Sequence, residues 1–440
     1  MDQSVVSQYL RDFQERSLPE LTDRELEVAD TDKILTIYGS RRSGKTFYLF
    51  QIMKELMENG VDKNRILYLN FEDTKLSDLD YKDIEEILKL HWEIYPDTSD
   101  GEMHIFLDEI QTVENWEKAV RTLHDRGFEN IYVTGSSATL LSKEIATELR
   151  GRTLSYLMLS YSFREFLKQK GFPVENYPQL SSREEARIKN LLEEYLEWGG
   201  FPEVVKEENE NVKTQILQEY RQLTLYKDLV ERHNVKNEKV LDTLFKHLYS
   251  SFSAPFSPHN FYNTLKSQGI KVGKETVYNY THYMEETVGV FMLDRWHPSA
   301  KTREMSQKKA YLPDTGFGNL YTAFSDKKSQ LLENMVFMHL KRRQNTYPGE
   351  EIYCWKNDTQ EELDFLLKQK DEVKSLIQVS HSMENDQIRE RELRALKKAN
   401  KSLECSDLRI ITWDTEQELQ ANGETVQVTP VWKWMMENNL

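Results

Sequence analysis

Five short apolar runs mark the first third of the chain, at residues 34–38, 66–69, 104–107, 131–134 and 156–159. Each is bounded by turn-forming residues and followed by a stretch with helical spacing of its apolar positions. Strands that are apolar at nearly every position are buried on both faces, the pattern of a parallel sheet covered by helices. Residues 31–165 are therefore expected to form one α/β domain. Residues 1–30 predict a short amphipathic helix and a connection, broken at Pro19. Over 166–248 the strand pattern stops and helical patterning takes over, punctuated by Gly199-Gly200-Phe201-Pro202. Residues 249–310 predict short helices and a hairpin. Residues 311–440 return to mixed α/β, with strands expected around 352–355, 363–367, 375–379 and 408–413. The expected fold class is α/β multidomain.

Composition narrows the function classes. A chain of 440 residues has room for about three domains. Its 58 Lys and Arg face 74 Asp and Glu, a net charge of −16. That excludes a uniformly basic nucleic-acid coat and leaves room for one basic face on an acidic body. Cys354 and Cys405 are the only cysteines, which excludes a disulfide framework and a cysteine-rich zinc site. The histidines form no HExxH pattern, and no GxSxG elbow is present. No apolar run approaches the roughly 18 residues of a membrane span. The first twenty residues lack the basic and apolar regions of a signal peptide. A cytoplasmic protein without a membrane partner is expected.

Gly39-Ser40-Arg41-Arg42-Ser43-Gly44-Lys45-Thr46 fits GxxxxGK[ST], follows the first apolar run and opens a helical pattern at Phe47. The glycines allow a tight turn whose successive N–H groups face phosphate oxygens, and the helix N-terminus adds partial positive charge. Lys45 is expected on the β- and γ-phosphates, and the Thr46 hydroxyl on Mg²⁺. Residues 39–47 are thus the candidate ATP-binding segment. The third run ends in Asp108-Glu109. In an open parallel sheet ligands bind beyond the carboxyl ends of the strands. Asp108 is the candidate Mg²⁺ ligand and Glu109 the candidate general base for the attacking water. The fourth run ends in Ser136-Ser137, where ring-forming ATPases of the additional-strand class carry a polar sensor of the γ-phosphate. Either serine suits that role, and either suits a helix cap. Arg150 and Arg152 precede the fifth run, a position from which an arginine can reach a neighbour's nucleotide or form a local salt bridge.

The segments GSRRSGKT, IFLDEIQTVENWEKAVRTLHD, IYVTGSSATLLS, LRGRT and LSYSFREFL together resemble a prokaryotic AAA-type ATPase family. Its members join an AAA domain, AAA_14, to a domain of unknown function, DUF4143. Downstream, YLEWGGFPEVV and YKDLVERHNV follow that family's order, so the resemblance covers residues 30–415. It implies a P-loop AAA-type core with a helical lid, ATP and Mg²⁺ as cofactors, and a homo-oligomer.

Within 249–310, a helix, a turn at Gly269, a second helix from Lys274 and a hairpin form the order of a winged helix. Lys274, Thr276, Tyr278 and Asn279 are then candidate DNA contacts on the recognition helix. Lys301, Arg303, Lys308 and Lys309 are expected to form a basic wing. Residues 255–309 hold eight Lys and Arg against five Asp and Glu, a local net of +3. The last domain resembles the restriction-endonuclease-like fold that ends many family members. Glu333 and Asp364 match its first two acids, but Gln378-Val379-Ser380 stands where a Glu-x-Lys is expected. The domain is therefore expected to be catalytically inactive, and on fold analogy alone Glu333 and Asp364 read as surface carboxylates. Two functions remain open: an ATPase acting on DNA, or an ATP-controlled assembly switch that binds a protein partner.

Overall fold

The structure is a computed structural model, describing residues 1–99, 102–136, 148–149, 151–321, 323–421 and 423–437. It contains two compact units. One is Met1–Met158 together with Glu286–Val288; the other is the remainder from Leu159 onward.

The first unit is built on five strands: β1 (Ile34–Tyr38), β2 (Ile66–Asn70), β3 (His104–Asp108), β4 (Asn130–Gly135) and β5 (Thr153–Leu157). All pairings are parallel, and the order is β2-β3-β4-β1-β5. Strand β4 thus lies between β1 and β3. Because all three run parallel, the loop after β1 and the carboxyl ends of β3 and β4 lie at one edge of the sheet. Phe106 and Tyr132 stack across β3 and β4 with ring centroids 4.4 Å apart. Helix α1 (Gln3–Glu15) buries Val6, Tyr9 and Leu10 in the same core as Ile84 and Ile87 of α3 (Asp83–Ile94). Helix α2 is Lys45–Glu58 and α4 is Trp116–Asp125. Strand β5 starts three residues earlier than its apolar run predicts. Its pairing with β1 begins at Ile34↔Thr153, and as an edge strand it leaves Thr153, Leu154 and Ser155 only partly buried. Its ladder is therefore set by β1 rather than by a continuous apolar stretch.

The second unit begins with helices, among them Ser182–Trp198, Glu210–Leu223 and Glu238–Ser250. A π-helical segment, Thr224–Glu231, continues directly from the second of these. Next come β6 (Ala254–Phe256), helices Pro258–Ser267 and Lys274–Glu286, β7 (Phe291–Leu293), a short helix Ala300–Met305 where the sequence predicts a plain hairpin, and β8 (Lys308–Tyr311). The three strands form an antiparallel sheet in the order β6-β8-β7. The final sheet has six strands in the order β13-β14-β12-β11-β10-β9. Four of them, β9 (Glu350–Lys356), β10 (Glu362–Gln369), β11 (Glu372–Ser380) and β12 (Leu408–Thr412), fall where the sequence predicts strands. The other two, β13 (Gln417–Ala421) and β14 (Glu424–Pro430), form an edge hairpin with mostly polar positions, which hides them from an apolar-run search. Helix Phe324–Thr346 packs on this sheet and carries Glu333.

Candidate active site

The loop after β1 turns under close steric control. A Cβ at Gly39 would lie 1.9 Å from the Met158 carbonyl oxygen, so only glycine fits. Gly44 has φ 102° and opens α2 without a side-chain cap, leaving the helix's first N–H groups for another acceptor. The Ser43 hydroxyl is buried and has no hydrogen-bond partner among the described residues. An uncapped helix start beside an unpaired buried hydroxyl fits a phosphate group. Arg24 braces the turn by donating to the Ser43 carbonyl at 2.8 Å. Arg41 pairs with Glu72 at 2.7 Å. Arg42 adopts the left-handed region, φ 63°. The Phe47 side chain is half exposed and meets Phe50 edge-on, so its N–H rather than its ring is the group available to a phosphate.

Lys45 is 4% exposed. Its ammonium lies 3.3 Å from the Gly39 carbonyl, 3.2 Å from that of Ser40 and 3.3 Å from Glu109 Oε1. The fully buried Asp108 is held by three hydroxyls. Thr46 donates to its Oδ2 at 2.8 Å, Tyr68 donates to the same oxygen at 2.9 Å, and Thr134 donates to Oδ1. Thr134 in turn accepts the Glu109 N–H at 3.0 Å. One residue of β4 thereby fixes both acidic residues at the end of β3. Glu109 sits at φ 52°, a conformation costly for a non-glycine residue and common where a side chain must be aimed.

The two carboxylates are driven apart. Burial, reinforced by the Glu109 charge, raises Asp108 above the usual carboxylate range, against its three hydroxyl donors. Burial also pushes Glu109 upward, but Lys45, then Gln111 and Arg41, outweigh it and leave Glu109 lowered. Glu109 is thus held as a carboxylate, the form a general base requires. Gln111 Nε2 donates to Glu109 Oε2 at 2.6 Å and reaches the buried Ser136 hydroxyl at 3.4 Å. The sequence-derived set Lys45, Thr46, Asp108, Glu109 and Ser136 therefore comes together. Ser137 and Arg150 lie outside the described residues. Arg152 forms an ion pair with Asp125 at 2.7 Å in its own chain.

Sequence reasoning passed over Tyr68, Gln111 and Thr134. Thr134 carried a signal, a hydroxyl closing an apolar strand beside the acidic pair. Tyr68 and Gln111 carried none, because their role depends on strand register and on the turn after β3.

On the Lys274–Glu286 helix, Val277, Tyr280, Thr281 and Met284 face inward, while Lys274, Tyr278 and Asn279 are exposed and Thr276 is half-buried. Lys301 is exposed. Arg303 packs over Trp296 and donates to the His297 carbonyl at 2.7 Å. The expected basic wing is smaller than the sequence suggests. Lys308 pairs with Asp294 at 3.1 Å, and Lys309, which points to the opposite face of β8, is buried against Glu333, Glu362 and Asp364. Glu333 and Asp364 are correspondingly not surface carboxylates: their side chains are 14% and 9% exposed and both contact Lys309.

The first unit is a mixed α/β domain with a parallel central sheet and a phosphate loop, the class of P-loop AAA-like cores. The model of an AAA domain (AAA_14) matches residues 31–167. Two domains of unknown function follow, DUF8612 at 189–328 and DUF4143 at 328–434. An uncharacterized protein of Methanocaldococcus jannaschii is 38% identical over 421 residues, covering 94% of this chain and 91% of the relative. An uncharacterized protein of Haemophilus influenzae is 31% identical over 353 residues, covering 79% and 82%. The chain belongs to this archaeal and bacterial family, in which an AAA domain is followed by DUF4143. Its structure also matches that of the Aeropyrum pernix ORC1 protein in complex with DNA at a TM-score of 0.28 and 15% identity, over 72% of this chain and 91% of that one. A likeness that slight leaves the functional reading to the residues. The AAA domain implies nucleotide binding. Among the described residues no helix is long and apolar enough to cross a membrane.

Proposed function

We propose that this protein is a Mg²⁺-dependent ATPase that acts on DNA as a homo-oligomer. The observation that carries the ATPase reading is the Thr46–Asp108–Thr134–Glu109 hydrogen-bonded network beside the buried Lys45. Lys45 and the N–H groups of residues 39–47 would hold the phosphates of ATP, and Thr46 and Asp108 would hold Mg²⁺. The metal supplies neutralisation of charge on the transferring phosphoryl group. Glu109 accepts the proton of the attacking water, and Gln111 keeps its carboxylate turned toward Lys45 and Ser136. Arg150 or Arg152 of a neighbouring copy completes the site.

The order helix, β6, two helices, β7, β8 supports a winged-helix reading for residues 249–310, although a short helix, Ala300–Met305, stands between β7 and β8. In that reading Lys274, Thr276, Tyr278, Asn279, Lys301 and Arg303 face DNA. The helix–three-strand–helix–strand order from Phe324 to Thr412 supports the restriction-endonuclease-like reading, with cleavage chemistry lost at Gln378 and Ser380. A second reading is an ATP-controlled assembly switch that binds a protein partner. The overall charge of −16 and the pairing of Lys308 and Lys309 favour it. Phosphate release measured with and without single-stranded, double-stranded and branched DNA separates the two. Strong stimulation by one DNA form supports the first. Indifference to all three, together with ATP-dependent oligomerisation, selects the switch.

A further inference from the structure

In the second unit a lysine stands at the centre of a group of acids. Lys309 Nζ lies 3.0 Å from Glu333 Oε1, 3.0 Å from Asp364 Oδ1 and 2.7 Å from Glu362 Oε1. The three carboxylates come from three places: helix Phe324–Thr346, and both the edge and the interior of β10. The lysine comes from β8 of the neighbouring three-stranded sheet. It is 5% exposed. Tyr311, two residues along β8, donates to Glu333 at 2.6 Å. Asp364 is oriented further by the Val379 N–H at 2.9 Å, and its own N–H meets Gln378 Oε1 at 3.3 Å. Lys356 approaches Glu362 from the open side at 3.4 Å.

A single point surrounded by three carboxylate oxygens is chemically suited to a hard cation, divalent or ammonium. Here the chain fills it. An ammonium has three donors, and Lys309 has three carboxylate partners, so its hydrogen-bonding capacity is met without solvent or metal. Burial of three acids around nothing would be costly, and one buried cation at their centre offsets part of that cost. Gln378 and Ser380, where an acid and a base would complete a hydrolytic site, add no charge that would draw a second cation.

We propose that Lys309 is a built-in cation that occupies the place of a divalent metal in this carboxylate cluster, and that it ties the β6–β8 sheet to the C-terminal sheet without metal. The same two elements are also stitched by backbone: the Trp296 N–H donates to the Cys354 carbonyl at 2.6 Å, and the Cys354 N–H to that of Asp294 at 3.0 Å. This inference is independent of the ATPase reading, because none of its residues lies in the first unit.

Mn²⁺ titration of the full chain without nucleotide, followed by electron paramagnetic resonance, tests it. Wild type should show no Mn²⁺ binding that is sensitive to Asp364→Asn. Lys309→Met should gain one site, at least tenfold tighter than any in wild type, and lose it again in Lys309→Met/Asp364→Asn. Melting temperature should fall in Lys309→Met and recover with Mn²⁺ but not with an equal ionic strength of NaCl. The wild-type titration stands even if Lys309→Met does not fold. Wild-type Mn²⁺ binding that Asp364→Asn abolishes would overturn the proposal, and so would a folded Lys309→Met that binds no Mn²⁺.

Discussion

The Thr46 hydroxyl donates to the Asp108 carboxylate across 2.8 Å, joining the first turn of α2 to the end of β3. The two residues are 62 positions apart, and the parallel run β3-β4-β1 is what puts the carboxyl ends of their strands at one edge of the sheet. Asp108 is held from its other side by Thr134 of β4. Thr46 and Thr134 thus hold Asp108 from two sides, and Thr134 also takes the Glu109 N–H.

Removing the Lys45 charge should abolish nucleotide binding, because the phosphates lose their nearest buried cation. Glu109→Gln should bind ATP normally and lose about 10²–10⁴ in turnover, the usual contribution of a general base. Isothermal titration and a phosphate-release assay measure the two quantities separately. Undiminished turnover in Glu109→Gln would remove it from the catalytic role.

Gln111 makes a more selective prediction. Its bond to Glu109 at 2.6 Å holds the base without touching the loop. Gln111→Ala should leave KM for ATP near its wild-type value and lower kcat by about tenfold, since a positioning contact of this kind contributes about 1–2 kcal/mol. Gln111→Asn, with a shorter reach, should not restore the rate. A raised KM with kcat intact would place Gln111 in binding instead.

If Arg150 or Arg152 reaches a neighbour's phosphate, activity per chain should rise with protein concentration. Mixing an Arg150/Arg152 double mutant with Lys45→Ala should then restore part of the lost rate, because each supplies what the other lacks. Arg152 must leave Asp125 to do so; their partly exposed pairing at 2.7 Å is weak enough to exchange. A flat rate per chain across concentrations that span assembly defeats the shared site.

Much of the first unit was legible because β1 to β4 are buried on both faces and announce themselves as apolar runs, whereas the edge strand β5 was placed only at its end. The phosphate loop and Asp108-Glu109 were legible because their chemistry is local in sequence. What escaped reading depends on contacts between distant segments. Thr134 matters only once β4 lies beside β3, and β14 alternates buried and exposed positions rather than forming the continuous apolar run that marks the other strands. Lys309 shows the limit most clearly. As a lysine next to Lys308 it reads as wing charge, and only the packing of its face of β8 against Glu333 and Asp364 shows that it is buried.

The Lys309 cluster should leave a mark on stability. Burial, and then the Asp364 charge, push Glu333 from 4.5 up to about 7, against Lys309 and Tyr311. Between those values the folded chain holds a proton at Glu333 that the unfolded chain has released. Stability from this group therefore falls as pH rises from about 4.5 to about 7, by up to about 1.4 kcal/mol per pH unit. Glu362, held low by Lys309 and Lys356 against its burial, slopes the other way below the usual carboxylate range, outside that window. Glu333→Gln should flatten the fall between pH 5 and 7, read from urea midpoints. An unchanged slope in the variant would assign the effect to other groups.

DNA binding, if it runs through the winged-helix residues, should be governed by salt. Each phosphate neutralised by Lys or Arg releases counterions and steepens the log–log salt dependence by about 0.9 on duplex DNA. Lys274 and Lys301 are exposed, so their heads are placed to meet a backbone, whereas Arg303 would have to leave Trp296 and the His297 carbonyl to do so. Changing all three to glutamine should weaken binding across sequences and flatten the slope by about 2–3, while basal ATPase activity stays near wild type because they lie outside the phosphate site. Tyr278 and Asn279, exposed on the same helix, carry no charge and should alter sequence preference rather than the slope. Fluorescence anisotropy across a salt series reads both effects. Wild-type protein with no DNA affinity at low salt would end the DNA reading and leave the protein-partner switch as the better account. A triple variant with an unchanged slope would move the contact surface elsewhere on the chain.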